Sequence, residues 1–171
     1  MHSNIILLPL PGYALQAARL GDARQLLAYQ LRNRDRLRAW EPSRAALEKQ
    51  ASGGLALSFL VRHMSDGAIV GECNFSNIIR GPFQACYIGF SIDAEEEGKG
   101  LMYAALDASV EYVFRRLKLH RVMANYRLGN TRSGSLLARL GFKKEGLARR
   151  YLKIDGAWTD HVLTAKINDA A

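Results

Sequence analysis

The stretch Glu97-Gly98-Lys99-Gly100-Leu101-Met102 constrains this chain more than any other. A strand-like run over residues 86–92 leads into it, and Leu106, Val110, Val113, Phe114 and Leu117 follow at helical spacing. Strand, Gly-x-Gly turn and helix therefore follow one another directly. The first turn of a helix leaves backbone N–H groups unpaired and partially positive. Glycine lets a ligand's phosphates approach that backbone closely. The segment is suited to cradle a diphosphate, although many βα turns use glycine for geometry alone.

The rest of the chain alternates strand and helix signals. Residues 5–10 read as a strand and 14–33 as an Ala/Leu/Arg-rich helix with Leu20, Leu26, Leu27 and Leu31 at helical spacing. Ser43 caps a short helix to residue 51, broken by Gly53-Gly54. Strands are expected over 55–63, 68–79 and 84–92, the first two joined at Ser65-Asp66-Gly67. After the helix at 98–117 come a strand at 120–126 and a shorter helix from Asn130 to Leu140-Gly141. A hairpin over 142–167, turned at Asp155-Gly156, closes the chain. This order predicts a mixed α/β fold with an antiparallel front half, in one domain over residues 1–171.

Composition excludes several classes. No apolar run approaches the roughly 18–20 residues that span a bilayer, and the first ten residues lack the basic and small-residue features of a leader. Cys73 and Cys86 fall inside strand-like runs, and four scattered histidines offer no metal-ligand spacing. A cytoplasmic protein without a metal is expected. The net charge of +8 is uneven: twelve Lys or Arg and a single acid, Glu145, lie between Arg115 and Lys153. Such a field attracts phosphates, RNA or acidic surfaces, or serves solubility. Arg32, Arg34, Arg36 and Arg38 read as a solvated helix end.

Several strings in order resemble one superfamily. They are Trp40-Glu41-Pro42, Asn74-Phe75-Ser76-Asn77 with Arg80-Gly81, Ala85-Cys86-Tyr87, Gly98-Lys99-Gly100-Leu101-Met102 and His120-Arg121-Val122-Met123-Ala124-Asn125-Tyr126. Then come Asn130-x-x-Ser133, Leu136-Leu137-Ala138-Arg139-Leu140-Gly141-Phe142, Tyr151-Leu152-x-Ile154-Asp155-Gly156-x-Trp158 and Asp160-His161-Val162-Leu163-Thr164-Ala165. The chain is similar to the GNAT N-acetyltransferases, and within them to ribosomal-protein N-acetyltransferases of RimJ type. The match is dense over residues 68–166 and limited to Trp40-Glu41-Pro42 before that.

The resemblance implies a single GNAT domain: a twisted, mostly antiparallel sheet of about seven strands, splayed at the middle and flanked by about four helices. It implies acetyl-CoA as cofactor and direct attack, in a ternary complex, by the N-terminal amine of a ribosomal protein. The family's pyrophosphate pattern, Gln/Arg-x-x-Gly-x-Gly, falls on Glu95-x-x-Gly98-Lys99-Gly100. Here the chain departs from it, since Glu95, Glu96 and Glu97 put three carboxylates beside a dianion site. Glu95 and Glu96 are expected to turn outward, with Lys99 offsetting some repulsion. Many members carry a tyrosine proton donor where this chain has Leu137, and the related serine corresponds to Ser133. The segment over 43–54, which helps build the acceptor groove, looks short.

By the same resemblance, the backbone of Phe90 is the oxyanion donor, and Phe90 and Ile92 hold the pantetheine arm as an added strand would. Glu97, Gly98, Lys99, Gly100 and Leu101 form the diphosphate loop. Asn130 contacts pantetheine or only caps its helix, and Ser133 serves the thiolate or only satisfies the first turn. Trp40 and Glu41 bind the acceptor's ammonium or anchor a loop. Glu72 and Asn74 share one strand face opposite Cys73 and Phe75; Glu72 reads as an orienting acid or a solvent-facing residue. Tyr151 and His161 line the acceptor side, or are a core tyrosine and a surface histidine. Alternative functions are acetylation of a small amine or peptide antibiotic, and a non-catalytic ribosome-assembly factor binding rRNA through the basic 115–153 region.

Overall fold

The computed structural model describes residues 5–40 and 56–170. Within them one nine-stranded sheet is built from β1 (Ile5–Leu7), β2 (Tyr13–Ala17), β3 (Leu57–His63), β4 (Ile69–Ile79), β5 (Ala85–Ile92), β6 (Arg121–Met123), β7 (Tyr126–Arg127), β8 (Lys143–Ile154) and β9 (Ala157–Ile167). Three α-helices accompany it among the described residues: α1 (Ala23–Leu37), α2 (Leu101–Leu117) and α3 (Thr131–Arg139). The strand order is β1-β2-β3-β4-β5-β6-β9-β7, with β8 pairing on β9. Every pairing is antiparallel except β5 with β6. This is the expected mixed α/β architecture, with more strands than the seven expected. The short helix expected over 43–51 lies outside the described residues. No helix among the described residues is long and apolar enough to cross a membrane.

Two expectations for local structure are corrected. Residues 14–17 form strand β2 and not the start of a helix. Its backbone pairs with β1 on one side and β3 on the other, and Ala14 and Leu15 are buried there, so tertiary pairing overrides Ala/Leu helix propensity. The strand expected over 120–126 splits into β6 and β7. Between them Ala124 bonds to Thr164 of β9, its N–H donating to the Thr164 carbonyl at 3.0 Å.

The core lies between α2 and one face of the sheet. Leu101, Leu106, Val110 and Val113 pack with Phe59, Cys73, Phe75, Cys86 and Ile88. Alternation along β4 sends Glu72 and Asn74 to the other face, where α1 lies and Gln30 reaches Glu72. α3 seats on β7 through Gly134, where a Cβ would come within 2.7 Å of the Tyr126 hydroxyl.

The feature that makes a site is the parting of β5 and β6. They pair only from Ala85–Arg121 to Tyr87–Met123, after which β5 runs on to Ile92. The Asp93 N–H donates to the Val70 carbonyl at 2.8 Å, which makes 91/72 and 89/74 the hydrogen-bonded pairs of the β4–β5 ladder. Ile88, Phe90 and Ile92 therefore turn their backbone groups to the opposite edge, the one that β6 has left.

Candidate active site

Beyond Ile92 the β5 arm passes through a turn at Ala94–Glu96 into the glycine loop and α2. Gly98 and Gly100 sit at φ 78° and 77°, and a Cβ at either would have no atom within 4 Å. The loop thus needs glycine for its left-handed backbone and leaves open space above it. The first helical bond of α2 is Ala104 N–H to the Gly100 carbonyl at 3.1 Å. The N–H groups of Leu101, Met102 and Tyr103 precede that bond and point into the loop. Gly89, exposed on β5 with no atom near its would-be Cβ, leaves the strand bare there.

The three carboxylates before Gly98 have three different fates. Glu95 is exposed, as expected. Glu96, expected outward, is instead buried. It accepts from the Tyr13 hydroxyl at 2.6 Å and from Lys99 Nζ at 3.1 Å, and lies 3.2 Å from His63 Nε2. Burial pushes its carboxyl up, but the hydrogen bonds from Tyr13 and Lys99 and the charges of Lys99 and His63 hold it below its ordinary value. The same bond to Glu96 raises both Tyr13 and Lys99. Lys99 is therefore committed to Glu96. Glu97 is held from two helices, by Arg36 Nη1 of α1 at 2.8 Å and by Arg132 of α3. Neutralisation by neighbours, and not an outward turn, relieves most of the negative charge at the loop.

Asn130 caps α3, its Oδ1 accepting from the Ser133 N–H at 3.2 Å. That leaves the amide Nδ2 as a donor for other use. Ser133 is half-buried on the first turn, and Leu137, where many relatives place tyrosine, is sealed in the core. Trp40 stands across from this helix end. With Gly129, Asn130, Thr131 and Arg132 it lines a cavity of about 190 Å³. The Arg127 guanidinium lies 5.8 Å from the Trp40 ring centre and donates to the Ala39 carbonyl at 2.6 Å, fixing the end of the α1 segment. Glu41 lies outside the described residues.

On the face toward α1, Glu72 is 6% exposed, which removes the solvent-facing reading. Gln30 and Ser91 each donate to it at 3.4 Å, and Ser91 in turn lies 3.0 Å from the Tyr29 hydroxyl. Asn74 is half-buried two residues along the same face. Farther along, a bulge between Ala148 and Leu152 in β8 puts three residues opposite one of β9 and turns Tyr151 inward. Asn125 Nδ2 donates to the Tyr151 hydroxyl at 3.1 Å, and His161 lies beside that ring at 5.5 Å. His161 is no surface residue. Burial pushes its imidazole below the ordinary value, so it stands neutral near pH 7.

The structure thus gathers Phe90, Ile92 and the residues 97–101 on one arm of the opening and Asn130 and Ser133 on the other. Trp40 stands at the mouth, and Glu72, Asn74, Tyr151 and His161 lie on the α1 face. Two residues that sequence reasoning missed are Arg36 and Arg132. Arg32 and Arg36 are one helical turn apart on α1 and reach Asp93 and Glu97, so the alternating arginine run conceals a pair aimed at those acids. Among the described residues, the features fit a cofactor with an amide-bearing arm and a diphosphate: a strand edge that β6 leaves after Tyr87, a glycine cradle, helix donors ahead of the first helical bond, and a buried Arg36 Nε–H without a partner.

Comparison with known proteins agrees with that fit. Residues 13–143 match the family described as an acetyltransferase (GNAT) domain. The [ribosomal protein uS5]-alanine N-acetyltransferase of Escherichia coli (strain K12) is 47% identical over 158 residues, covering 84% of this chain and 81% of that protein. A ribosomal-protein-S5-alanine acetyltransferase from Vibrio fischeri superposes with a TM-score of 0.86 at 38% identity, over 94% of this chain and 96% of that one. Mycobacterium smegmatis RimJ, solved in complex with CoA-disulfide, superposes with a TM-score of 0.83 at 30% identity, over 98% and 87%.

Proposed function

Since this chain belongs to the acetyltransferase (GNAT) domain family, we propose that it transfers the acetyl group of acetyl-CoA to the N-terminal α-amine of a ribosomal protein, one that begins with Ala or Ser. The observation that carries this is the edge of β5 that no strand pairs with beyond Tyr87 among the described residues, running straight into a left-handed glycine loop with open helix donors. An extended arm with amides pairs with such an edge, and a diphosphate suits its end. Acetyl-CoA, when bound, supplies a thioester-activated acetyl group and a thiolate leaving group.

The residues of this chain then divide the work. The Phe90 N–H, fixed by the β4–β5 ladder, donates to the acetyl oxygen as negative charge grows there; one preset donor of this kind is worth about 3–4 kcal/mol. Gly98, Lys99, Gly100 and Leu101 offer backbone N–H groups to the diphosphate. Asn130 caps α3 with its oxygen and donates from its nitrogen to the pantetheine arm, so capping and binding coexist in one side chain. The Ser133 hydroxyl relays a proton from water to the departing sulfur, accepting one as it gives up its own. On the acceptor side, a protein α-amine has an ordinary pKa near ~7.7–8.0 and is partly neutral at neutral pH, so no strongly tuned base is required. Glu72 orients the amine and takes up its proton through water, Asn74 helps position it, and Tyr151 with neutral His161 bounds the groove. Trp40 forms a wall at the mouth.

Acceptor delivery favours a ribosomal surface. Lys143, Lys144, Arg149, Arg150 and Lys153 are all exposed along β8, whereas Arg121 and Arg139 are occupied by Glu145 and the Tyr103 ring. We read β8 as the part of the basic 115–153 region that meets rRNA, and on that reading the enzyme works in the cytoplasm. The test is incubation with acetyl-CoA and peptides beginning with Ala or Ser, the same peptides with blocked termini, and spermidine, read by mass spectrometry. One acetyl group gained by the open peptides only is expected, and its loss in Gly98→Glu. Acetylation of spermidine alone would sink the protein-terminus reading.

A further inference from the structure

We propose that Arg132 is a phosphate ligand of acetyl-CoA, held on Glu97 until the cofactor arrives and then exchanged from carboxylate to phosphate. This rests on the acetyl-CoA reading above. Glu97 ends the arm that continues β5, and Arg132 stands in the first turn of α3, on the arm that continues β6 and β7. These two arms part after the Tyr87–Met123 pair, so the Glu97–Arg132 ion pair is a bar across the open end of the cleft.

The two guanidiniums on Glu97 differ in kind. Arg36 is built in: Nη1 holds Glu97 at 2.8 Å, while Nη2 donates to Asn33 Oδ1 at 2.8 Å and to the Ile92 carbonyl. The Arg132 side chain is 75% exposed, and among the described residues it bonds to Glu97 alone. Exposed ion pairs are weak and screened by salt. A phosphate offers a guanidinium fork more charge and more acceptor atoms than a carboxylate does. Exchange therefore runs toward the phosphate, while Arg36 keeps Glu97 from being left unpaired.

The rest of the loop makes this role necessary. Its own cation, Lys99, is engaged by Glu96 at 3.1 Å. The position where the family pattern has Gln or Arg is Glu95, an exposed acid. A cation from α3 takes the place of the missing one.

The experiment is calorimetric titration of coenzyme A, at low and moderate salt, into the wild type, Arg132→Ala, Arg132→Lys and Glu97→Gln, with circular dichroism as a check on folding. Arg132→Ala is expected to bind about tenfold more weakly, as for loss of a charge-assisted bond, with a shallower salt dependence. Arg132→Lys should fall between, and Glu97→Gln, which releases the arginine, should bind several-fold more tightly. Repeating the series with dephospho-coenzyme A separates the two sources of phosphate. A loss from Arg132→Ala that persists assigns the diphosphate, and one that vanishes assigns the 3′-phosphate. Unchanged affinity in folded Arg132→Ala, or weaker binding by Glu97→Gln, overturns the exchange. A wild type that binds no coenzyme A overturns the acetyl-CoA reading itself, and this inference with it.

Discussion

α2 meets the sheet with Leu101, Met102, Ala104, Ala105, Leu106, Ser109, Val110, Val113 and Phe114 buried. α1, on the opposite face, buries only Tyr29 and Asn33. Tyr29 and Leu26 pack on Leu60 and Ile69, and its other contacts are polar: Arg32 on Asp93 at 2.6 Å, Arg36 on Glu97 at 2.8 Å, Gln30 on Glu72 at 3.4 Å and Tyr29 on Ser91 at 3.0 Å. Of the leucines at helical spacing, Leu26 packs inward, while Leu27 and Leu31 lie outside, 56% and 60% exposed. One helix holds the sheet by removing apolar surface from water, the other chiefly by satisfying directed bonds around a small apolar contact. The polar face is where an amine can be received, because a face closed by hydrocarbon offers it neither a partner nor water.

Four substitutions test that contrast, measured by denaturant unfolding. Leu106→Ala, at a fully buried position, is expected to cost about 2–5 kcal/mol. Asp93→Ala, which takes away the carboxylate that Arg32 and Asn33 share and leaves them the Ile69 and Tyr29 carbonyls, should cost about 2 kcal/mol. Glu96→Gln should cost about 1–2 kcal/mol near neutral pH, with a signature in acid. Because its folded value is depressed, the stability Glu96 adds is complete above its ordinary 4.5 and is lost as pH falls through the lower folded value. The difference between wild type and Glu96→Gln should therefore shrink in acid; a difference that grows there would show that Glu96 is not held as a carboxylate. Leu31→Ala, on the exposed side of α1, should stay within about 0.5 kcal/mol. A Leu31→Ala cost comparable to that of Leu106→Ala would break the comparison, since α1 would then be anchored by hydrocarbon as well.

The same contrast explains what could be read in advance. The inner face of α2 follows from spacing alone, since apolar residues and burial coincide there. For α1 they coincide only at Leu26 and Tyr29, and Leu20, Leu27 and Leu31 of the same leucine spacing lie outside. The glycine loop, the cap at Asn130 and the shared face of Glu72 and Asn74 depend on local geometry, which sequence carries directly. The inward turn of Glu96 depends on Tyr13 and His63, distant in the chain, so outward charge was the natural but wrong expectation. Arg132 escaped notice because its partner stands 35 residues away. Tyr151 owes its orientation to a bulge that no residue type announces.

The sheet also ends in a way that governs what the protein does at high concentration. Among the described residues its outer strands are β1 and β7, of three and two residues, and the long β8, which pairs only with β9. A strand as long as β8 is a template onto which another chain can add. Here it is interrupted by two register breaks and lined with exposed lysine and arginine, the devices that keep edges from joining. Two copies brought edge to edge would set like charges against each other along twelve residues. The basic strand thus discourages sheet growth between copies whether or not an acidic partner is present.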